Sequence, residues 1–315
     1  MDGRGLATRP GGTPGRVRPR GRGTPRPGVE GRRLIPDRFL AVLRCVECGS
    51  GPLETADGGL ACASCSRAYP STGGVLDLTP ARSLPLPRLY QDPDYVAWTQ
   101  RFAGEYDYFS ETRGPIGWVE DAGHRAVRAM RQGRSPHRVI DLGCGNGVHR
   151  RFVDDPAPFL AFDHDPAILG VLRARYPDYA CARADGHRLP LADRSVDQIV
   201  NVYNLEHMPF LDHVLEEMAR VLAPGGEAYV SVPNEGGRAW SLGRALTSAR
   251  HFRGAGFDYS RVISISHIHC VWELEKAVRR HFRILQCVRF PTGLPSFHLN
   301  LVTTWRCGPR AGTLG

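Results

Sequence analysis

The sequence predicts an α/β domain built on a mostly parallel sheet, with a small cysteine-held module in front of it, and three observations carry that expectation. From about residue 95 to about residue 306, helix-like and strand-like segments alternate, the pattern of a parallel sheet covered by helices on both faces. One of the strands runs straight into a glycine-rich turn, Val139-Ile-Asp141-Leu-Gly143-Cys-Gly145-Asn-Gly147. Four of the nine cysteines form two Cys-x2-Cys pairs, Cys45 with Cys48 and Cys62 with Cys65. At 315 residues and 42% apolar content the chain can bury one full core and carry an appendage.

Four segments follow from the shifts in composition: a Gly/Pro/Arg-rich tail over 1–36, the cysteine module over 40–80, a Pro-rich linker over 81–94 and the α/β domain over 95–306. Residues 1–33 hold nine arginines against Asp2 and Glu30, so most of the net charge of +9 lies in the tail and the rest is nearly neutral. That distribution disfavours a nucleic-acid groove in the folded part. The tail is too poor in apolar residues to order itself. Lys276 is the only lysine, a whole-chain preference for arginine that weakens any argument from a single arginine. No apolar run approaches the roughly 18 residues of a spanning helix, and no apolar stretch follows the basic N-terminus. We therefore expect a cytoplasmic chain with no membrane partner.

Within the domain, Arg138–Leu142, Phe159–Phe162, Gln198–Tyr203 and Glu227–Val232 read as buried parallel strands. Leu211–Leu222 reads as a helix, because Leu211, Val214, Leu215, Met218 and Leu222 recur at three- and four-residue spacing before Ala223-Pro-Gly-Gly226 stops it. A helix over Trp272–Phe282 and strands over Arg283–Phe290 and Leu299–Arg306 close the domain.

A Cys-x2-Cys turn brings two thiolates onto one metal ion, and two such turns complete a tetrahedral sulfur site. We expect a structural Zn2+ held by Cys45, Cys48, Cys62 and Cys65, which would supply much of the folding energy of so short a module. Cys144, Cys181, Cys270, Cys287 and Cys307 show no metal spacing and read as small core residues. The surrounding residues, Leu43-Arg-Cys-Val-Glu-Cys, Cys62-Ala-Ser-Cys-Ser-Arg-Ala-Tyr69-Pro70 and Gly74-Val-Leu-Asp-Leu, resemble the Trm112-like zinc ribbon. The resemblance implies a module that partners methyltransferases or is fused in front of one.

At the glycine turn the backbone can approach a ligand closely. The third glycine of a dinucleotide fingerprint would fall at Val148, and no Gly-Lys-Ser/Thr follows for a phosphate loop. Asp141 at the mouth would repel a pyrophosphate and favour the ammonium group of a methionine moiety. Asp141-x-Gly143-x-Gly145-x-Gly147 resembles motif I of the class I S-adenosylmethionine-dependent methyltransferases. Further motifs follow in order: Phe162-Asp163, Asp185-Gly186 before Leu189-Pro190, Asn204-Leu-Glu-His207 and Leu222-Ala-Pro-Gly-Gly226.

That resemblance implies a Rossmann-like seven-stranded sheet, mostly parallel with an antiparallel last strand, and S-adenosylmethionine as methyl donor. It implies site roles as well: Asp163 for the ribose hydroxyls, Asp185 with Gly186 for the adenine, and Asp141, Gly143, Gly145 and Gly147 for the methionine end. Tyr106, in the aromatic run Phe102–Phe109, would lie over the cofactor. His149, just after the loop, reads as a surface or supporting residue.

Methyl transfer from a sulfonium is an in-line displacement, so alignment is the main task, and a base is needed only if the nucleophile carries a proton. The candidate catalytic residues are His207, after the fourth strand, and His267 and His269, which at strand spacing would share one face. The segment 234–268 is longer than a connection needs and reads as a substrate cap, its arginines facing an acidic acceptor or solvent. No Asp/Asn-Pro-Pro-Tyr tetrad and no Pro-Cys nucleophile appears, which disfavours the nucleobase chemistries those motifs serve. The leading expectation is a small-molecule, glycan or secondary-metabolite acceptor. One rival is an rRNA or tRNA methyltransferase; bacterial guanine-N1 enzymes of that kind usually have Cys-x3-His where this chain has Cys62-x2-Cys65. The other rival is a non-catalytic scaffold or nucleic-acid-binding protein.

Overall fold

Short apolar runs from residue 139 onward form the strands that the alternation predicts, and they assemble in an order that changes direction in the middle of the parallel run, where open sheets of this kind place a ligand crevice. The computed structural model describes residues 34–82, 84, 88–98, 115–254 and 256–310. Its strands are β1 (Glu54–Ala56), β2 (Gly59–Ala61), β3 (Ala68–Thr72), β4 (Val75–Asp77), β5 (Val139–Leu142), β6 (Phe159–Asp163), β7 (Cys181–Arg183), β8 (Val196–Val202), β9 (Leu222–Pro233), β10 (Phe282–Phe290) and β11 (Val302–Pro309). They form one sheet in the order β1-β2-β3-β4-β7-β6-β5-β8-β9-β11-β10. Strands β4 to β9 pair in parallel along the run from β4 to β9, and β11 lies antiparallel to both β9 and β10.

The expected seven strands are therefore part of a larger, mixed sheet of eleven, and the antiparallel last strand is present. The four additional strands belong to the cysteine module, which joins the sheet through Leu76 opposite Ala182 and Asp77 opposite Arg183. The reason is physical. A module this small cannot cover Tyr69, Leu76 and Leu78 by itself, and β7 would otherwise be an open edge. All three side chains are at most 1% exposed and belong to one core with Ile140, Leu160 and Phe162 of the central strands.

Helix α1 (Asp37–Leu40) precedes the module, and α2 (Pro115–Arg131) precedes β5. Helix α3 (Pro166–Arg175) starts where Asp165 accepts hydrogen bonds from the amides of Ala167 and Ile168, with Pro166 in its first turn. Helix α4 (Leu211–Val221) buries Leu211, Val214, Leu215 and Met218, as the spacing predicts, and Val221, whereas Leu222 opens β9. Strand β9 starts directly after it, so the Ala-Pro-Gly-Gly stretch is the opening of that strand rather than a separate turn.

The segment 234–268 contains three helices, α5 (Arg238–Leu246), α6 (Ser248–His251) and α7 (Tyr259–Ser266), and α8 (Val271–His281) follows. His267 and His269 thus lie in the connection between two helices and not on a strand, which removes the expected shared face. Among the described residues no helix is long and apolar enough to cross a membrane.

Candidate functional site

The glycine turn leaves β5 with backbone that only glycine adopts easily. Gly143 has φ +73°, and a Cβ there would stand 2.2 Å from Cγ of Asn204, which comes from the turn after β8. The loop is tied to the next strand: Gly143 and Cys144 donate to the carbonyl of Phe162 at 2.8 and 3.0 Å, and Gly145 donates to Oδ2 of Asp163 at 2.9 Å. A five-residue 3-10 turn, Val148–Phe152, follows Gly147, whose φ is +84°.

Three acids stand on adjacent strands around this turn. Asp141 lies within β5, 2% exposed, and accepts the Tyr179 hydroxyl at 3.0 Å. It sits beneath the loop, not at an open mouth. Burial pushes its pKa up to about 7, against the opposing effects of the Tyr179 bond and Arg131. Asp163 ends β6 and accepts from the amides of Gly145 and Asp165. Burial would raise its pKa, but the hydrogen bonds from His164 and those two amides hold it below the usual range. Asp185, two residues past β7, accepts from both the amide and Nδ1 of His187, at 2.9 and 2.7 Å. Beside it a Cβ on Gly186 would meet the terminal methyl of Met208 at 2.8 Å, so a larger residue there would displace that flexible side chain. Tyr106 lies outside the described residues.

Behind the loop the expectation of a surface role for His149 fails. His149 is 2% exposed and its Nδ1 is 3.1 Å from Nδ1 of the equally buried His124. One of the two nitrogens must donate and the other accept, and burial holds both rings below the usual histidine range, which keeps the pair neutral near neutral pH.

On the other side of Gly143, the turn after β8 carries Asn204, Glu206 and His207. The Nδ1 of His207 lies 2.8 Å from the carbonyl oxygen of Ser266, so Nδ1 carries the hydrogen and Nε2 the lone pair. Burial and the nearby His267 hold His207 below the usual histidine range. The His267 ring stands edge-on to His207 with centroids 4.7 Å apart, and its Nδ1 is 3.0 Å from Oε2 of Glu235. His269 points elsewhere, its Nε2 3.0 Å from the carbonyl oxygen of Met208. The structure therefore brings His207 and His267 together and gives His269 a backbone-holding bond.

Within 234–268, Arg244 donates to both oxygens of Glu235 at 2.7 Å and Trp240 donates to Oε2 at 2.8 Å. This arginine serves the protein's own acid instead of an acidic acceptor. Phe252, Phe257 and Tyr259 pack on one another. The sequence reading passed over Glu206, quoted only as the neighbour of His207, and Tyr179, which no periodic pattern marks.

Away from this crevice, the sulfurs of Cys45, Cys48, Cys62 and Cys65 all lie within 4.8 Å of one another. Cys45 and Cys65 are 3.5 Å apart and Cys48 and Cys62 3.6 Å. A tetrahedral site with metal–sulfur bonds of about 2.3 Å needs sulfur separations of roughly 3.8 Å. Four thiols so placed form a donor set suited to a soft divalent metal. Tyr69 supports it, donating to Sγ of Cys45 at 3.1 Å and accepting from the amide of Val46 at 3.0 Å. Of the five other cysteines, Cys144, Cys181 and Cys307 are buried as expected, whereas Cys270 is half-buried and Cys287 exposed.

A family model described as a methyltransferase domain matches residues 140–230, which includes the glycine turn and all three acids. A probable S-adenosylmethionine-dependent methyltransferase of Mycolicibacterium smegmatis is 38% identical over 97 residues, 30% of this chain and 38% of its own length. A provisionally assigned 23S rRNA (guanine-N(1)-)-methyltransferase of Micromonospora griseorubida is 33% identical over 219 residues, 64% of this chain and 68% of its own. A solved S-adenosylmethionine-dependent methyltransferase of Thermotoga maritima, 17% identical, superposes with a TM-score of 0.48 over 69% of this chain and 100% of its own. The chain thus spans little more than a third of the length of the Mycolicibacterium relative and about two thirds of the Micromonospora one. With the match to the last of these relatives and the ordered acids around the glycine turn, the chain belongs to the S-adenosylmethionine-dependent methyltransferases.

Proposed function

We propose that the protein transfers the methyl group of S-adenosylmethionine to a small-molecule or glycan acceptor seated at the carboxyl ends of β8 and β9. The bound donor supplies an electrophilic methyl on a sulfonium. Asp163 would hold the ribose hydroxyls, Asp185 and Gly186 the adenine side, and Asp141 with Gly143, Gly145 and Gly147 the methionine end. The observation that carries the reading is Asp163, a half-buried carboxylate at a strand end whose two amide bonds fix it beside the glycine turn. The fit is supported by Asn204, whose Nδ2 is buried against Gly143 without a hydrogen-bond partner among the described residues.

His207 and His267 would line the acceptor side, with 234–268 as its cap. Since His207 is held neutral, it suits accepting a hydrogen bond that orients the acceptor better than storing a proton. In front of the domain, residues 40–80 would form a ribbon in which Cys45, Cys48, Cys62 and Cys65 hold a structural Zn2+. Residues 81–94 would be the linker and 95–306 the catalytic domain.

A second reading, methylation of ribosomal RNA, is favoured by the name of the Micromonospora relative. Incubating the purified chain with methyl-labelled S-adenosylmethionine and either a small-molecule extract or total RNA separates the two. Label in the small-molecule fraction supports the leading reading, and label confined to RNA removes it.

A further inference from the structure

Two acids, one in the turn after β8 and one on the helix tied to that turn, have no arginine or lysine partner among the described residues. Glu206, in the turn directly after β8, is 1% exposed, and its Oε2 has no hydrogen-bond partner among the described residues. Its Oε1 is 3.8 Å from Nε2 of His207, beyond hydrogen-bond distance. The turn itself is fixed: the carbonyl of Glu206 accepts the amide of Ile268 at 3.0 Å. Glu120 is on α2, next to Val119, whose carbonyl accepts the hydroxyl of Tyr203 at 3.1 Å. Tyr203 thereby ties the helix that carries Glu120 to the turn that carries Glu206.

Among the described residues no arginine or lysine pairs with either acid. Glu235 adds a third carboxylate nearby, already matched by Arg244, Trp240 and His267. A buried carboxyl with an unused oxygen is costly unless a ligand completes it, which points to Glu206 as a binding group. A hydroxyl acceptor would bring no charge to offset Glu206, and a phosphate-bearing acceptor would find no unmatched cation here to pair with.

We propose that Glu206 and Glu120 select an amine: the acceptor is a small molecule with a primary or secondary ammonium group, and Glu206 takes its proton before methyl transfer to nitrogen. The proposal rests on the small-molecule reading above. The ammonium N–H bond breaks and its hydrogen passes to Oε2 of Glu206. The nitrogen lone pair so released forms the N–C bond while the C–S bond breaks, its electron pair remaining on sulfur. The product is a methylated ammonium, a neutral thioether and a protonated Glu206. Burial, together with Glu235 and Glu120, pushes the Glu206 pKa up to about 8, and burial beside Asp121 pushes Glu120 up to about 7. A carboxylate in that range is a far better match to an ammonium donor than the depressed His207.

The test uses the full chain, methyl-labelled S-adenosylmethionine and matched probes: benzylamine and glucosamine against benzyl alcohol and glucose, with total RNA alongside. Label should enter an amine and neither alcohol, with the new methyl on nitrogen by mass spectrometry. Glu206→Gln should slow that transfer by about 100-fold or more while S-adenosylmethionine affinity by calorimetry stays unchanged. Glu120→Gln should raise KM for the amine more than it lowers kcat. Transfer to the alcohols alone would overturn the amine assignment and leave the small-molecule reading intact. Transfer to RNA alone would remove both. No transfer to either amine, or an undiminished Glu206→Gln variant, would equally overturn the proposal.

Discussion

The Tyr179 hydroxyl donates to Oδ2 of Asp141 across 3.0 Å, so the acid beneath the glycine turn is solvated by a phenol instead of water. With its pKa pushed up to about 7, Asp141 in the free protein keeps a proton over part of the neutral range. An ammonium brought next to it favours the carboxylate, so binding of S-adenosylmethionine should expel a proton at pH 6 and affinity should rise with pH until about 7, then level off. Asp163 and Arg131 are the charged groups that act on it alongside. Calorimetry in buffers of different ionisation enthalpy counts the proton, and a buffer-independent heat at pH 6 would contradict the assignment.

Asp163→Ala should weaken S-adenosylmethionine binding by at least roughly tenfold, because charge-assisted bonds of about 1.5–3 kcal/mol are lost from the ribose side. The variant also frees the amides of Gly145 and Asp165, so a fall in melting temperature is expected with it. Unchanged affinity would exclude Asp163 as a ligand residue.

The histidines should separate cleanly. His269→Ala removes a bond to the Met208 carbonyl and should cost about 0.5–1.5 kcal/mol of stability with kcat nearly intact. His207→Ala should instead lower kcat through misalignment of the acceptor, with donor affinity unaltered. Equal kinetic losses in the two variants would show that the difference in their surroundings has no functional meaning.

Metal analysis should find one zinc per chain, lost in a Cys45→Ser/Cys62→Ser double variant. Tyr69→Phe should retain the metal but lose about 1–3 kcal/mol of stability, since the buried amide of Val46 then has no acceptor. Zinc held fully by the double variant would rule out the four-cysteine site.

Local patterns were readable and relationships between distant segments were not. The α4 stripe follows from a period of 3.6 residues and was found to within one residue. Strand β7 has three residues, too few for any alternation to register, and was missed. Helices α5 to α7 were missed because mixed arginine, glycine and aromatic residues mask their apolar face. Asp141, Asp163 and Asp185 stood out through their order beside the glycine turn. Glu206 could not, because what distinguishes it is a missing partner, a property that exists only after β8, α2 and the 267–269 connection have met.

The parallel pairing of β4 with β7 binds the fate of the two halves of the chain together. A chain begun after the linker would present β7, with its row of unmatched backbone donors and acceptors, as the outermost strand of a sheet evolved to have a neighbour there. Leu160 and Phe162 would lose the cover of Leu76 and Leu78 in the same stroke. Whatever loosens the cysteine knuckles thus loosens the edge on which Asp185 stands.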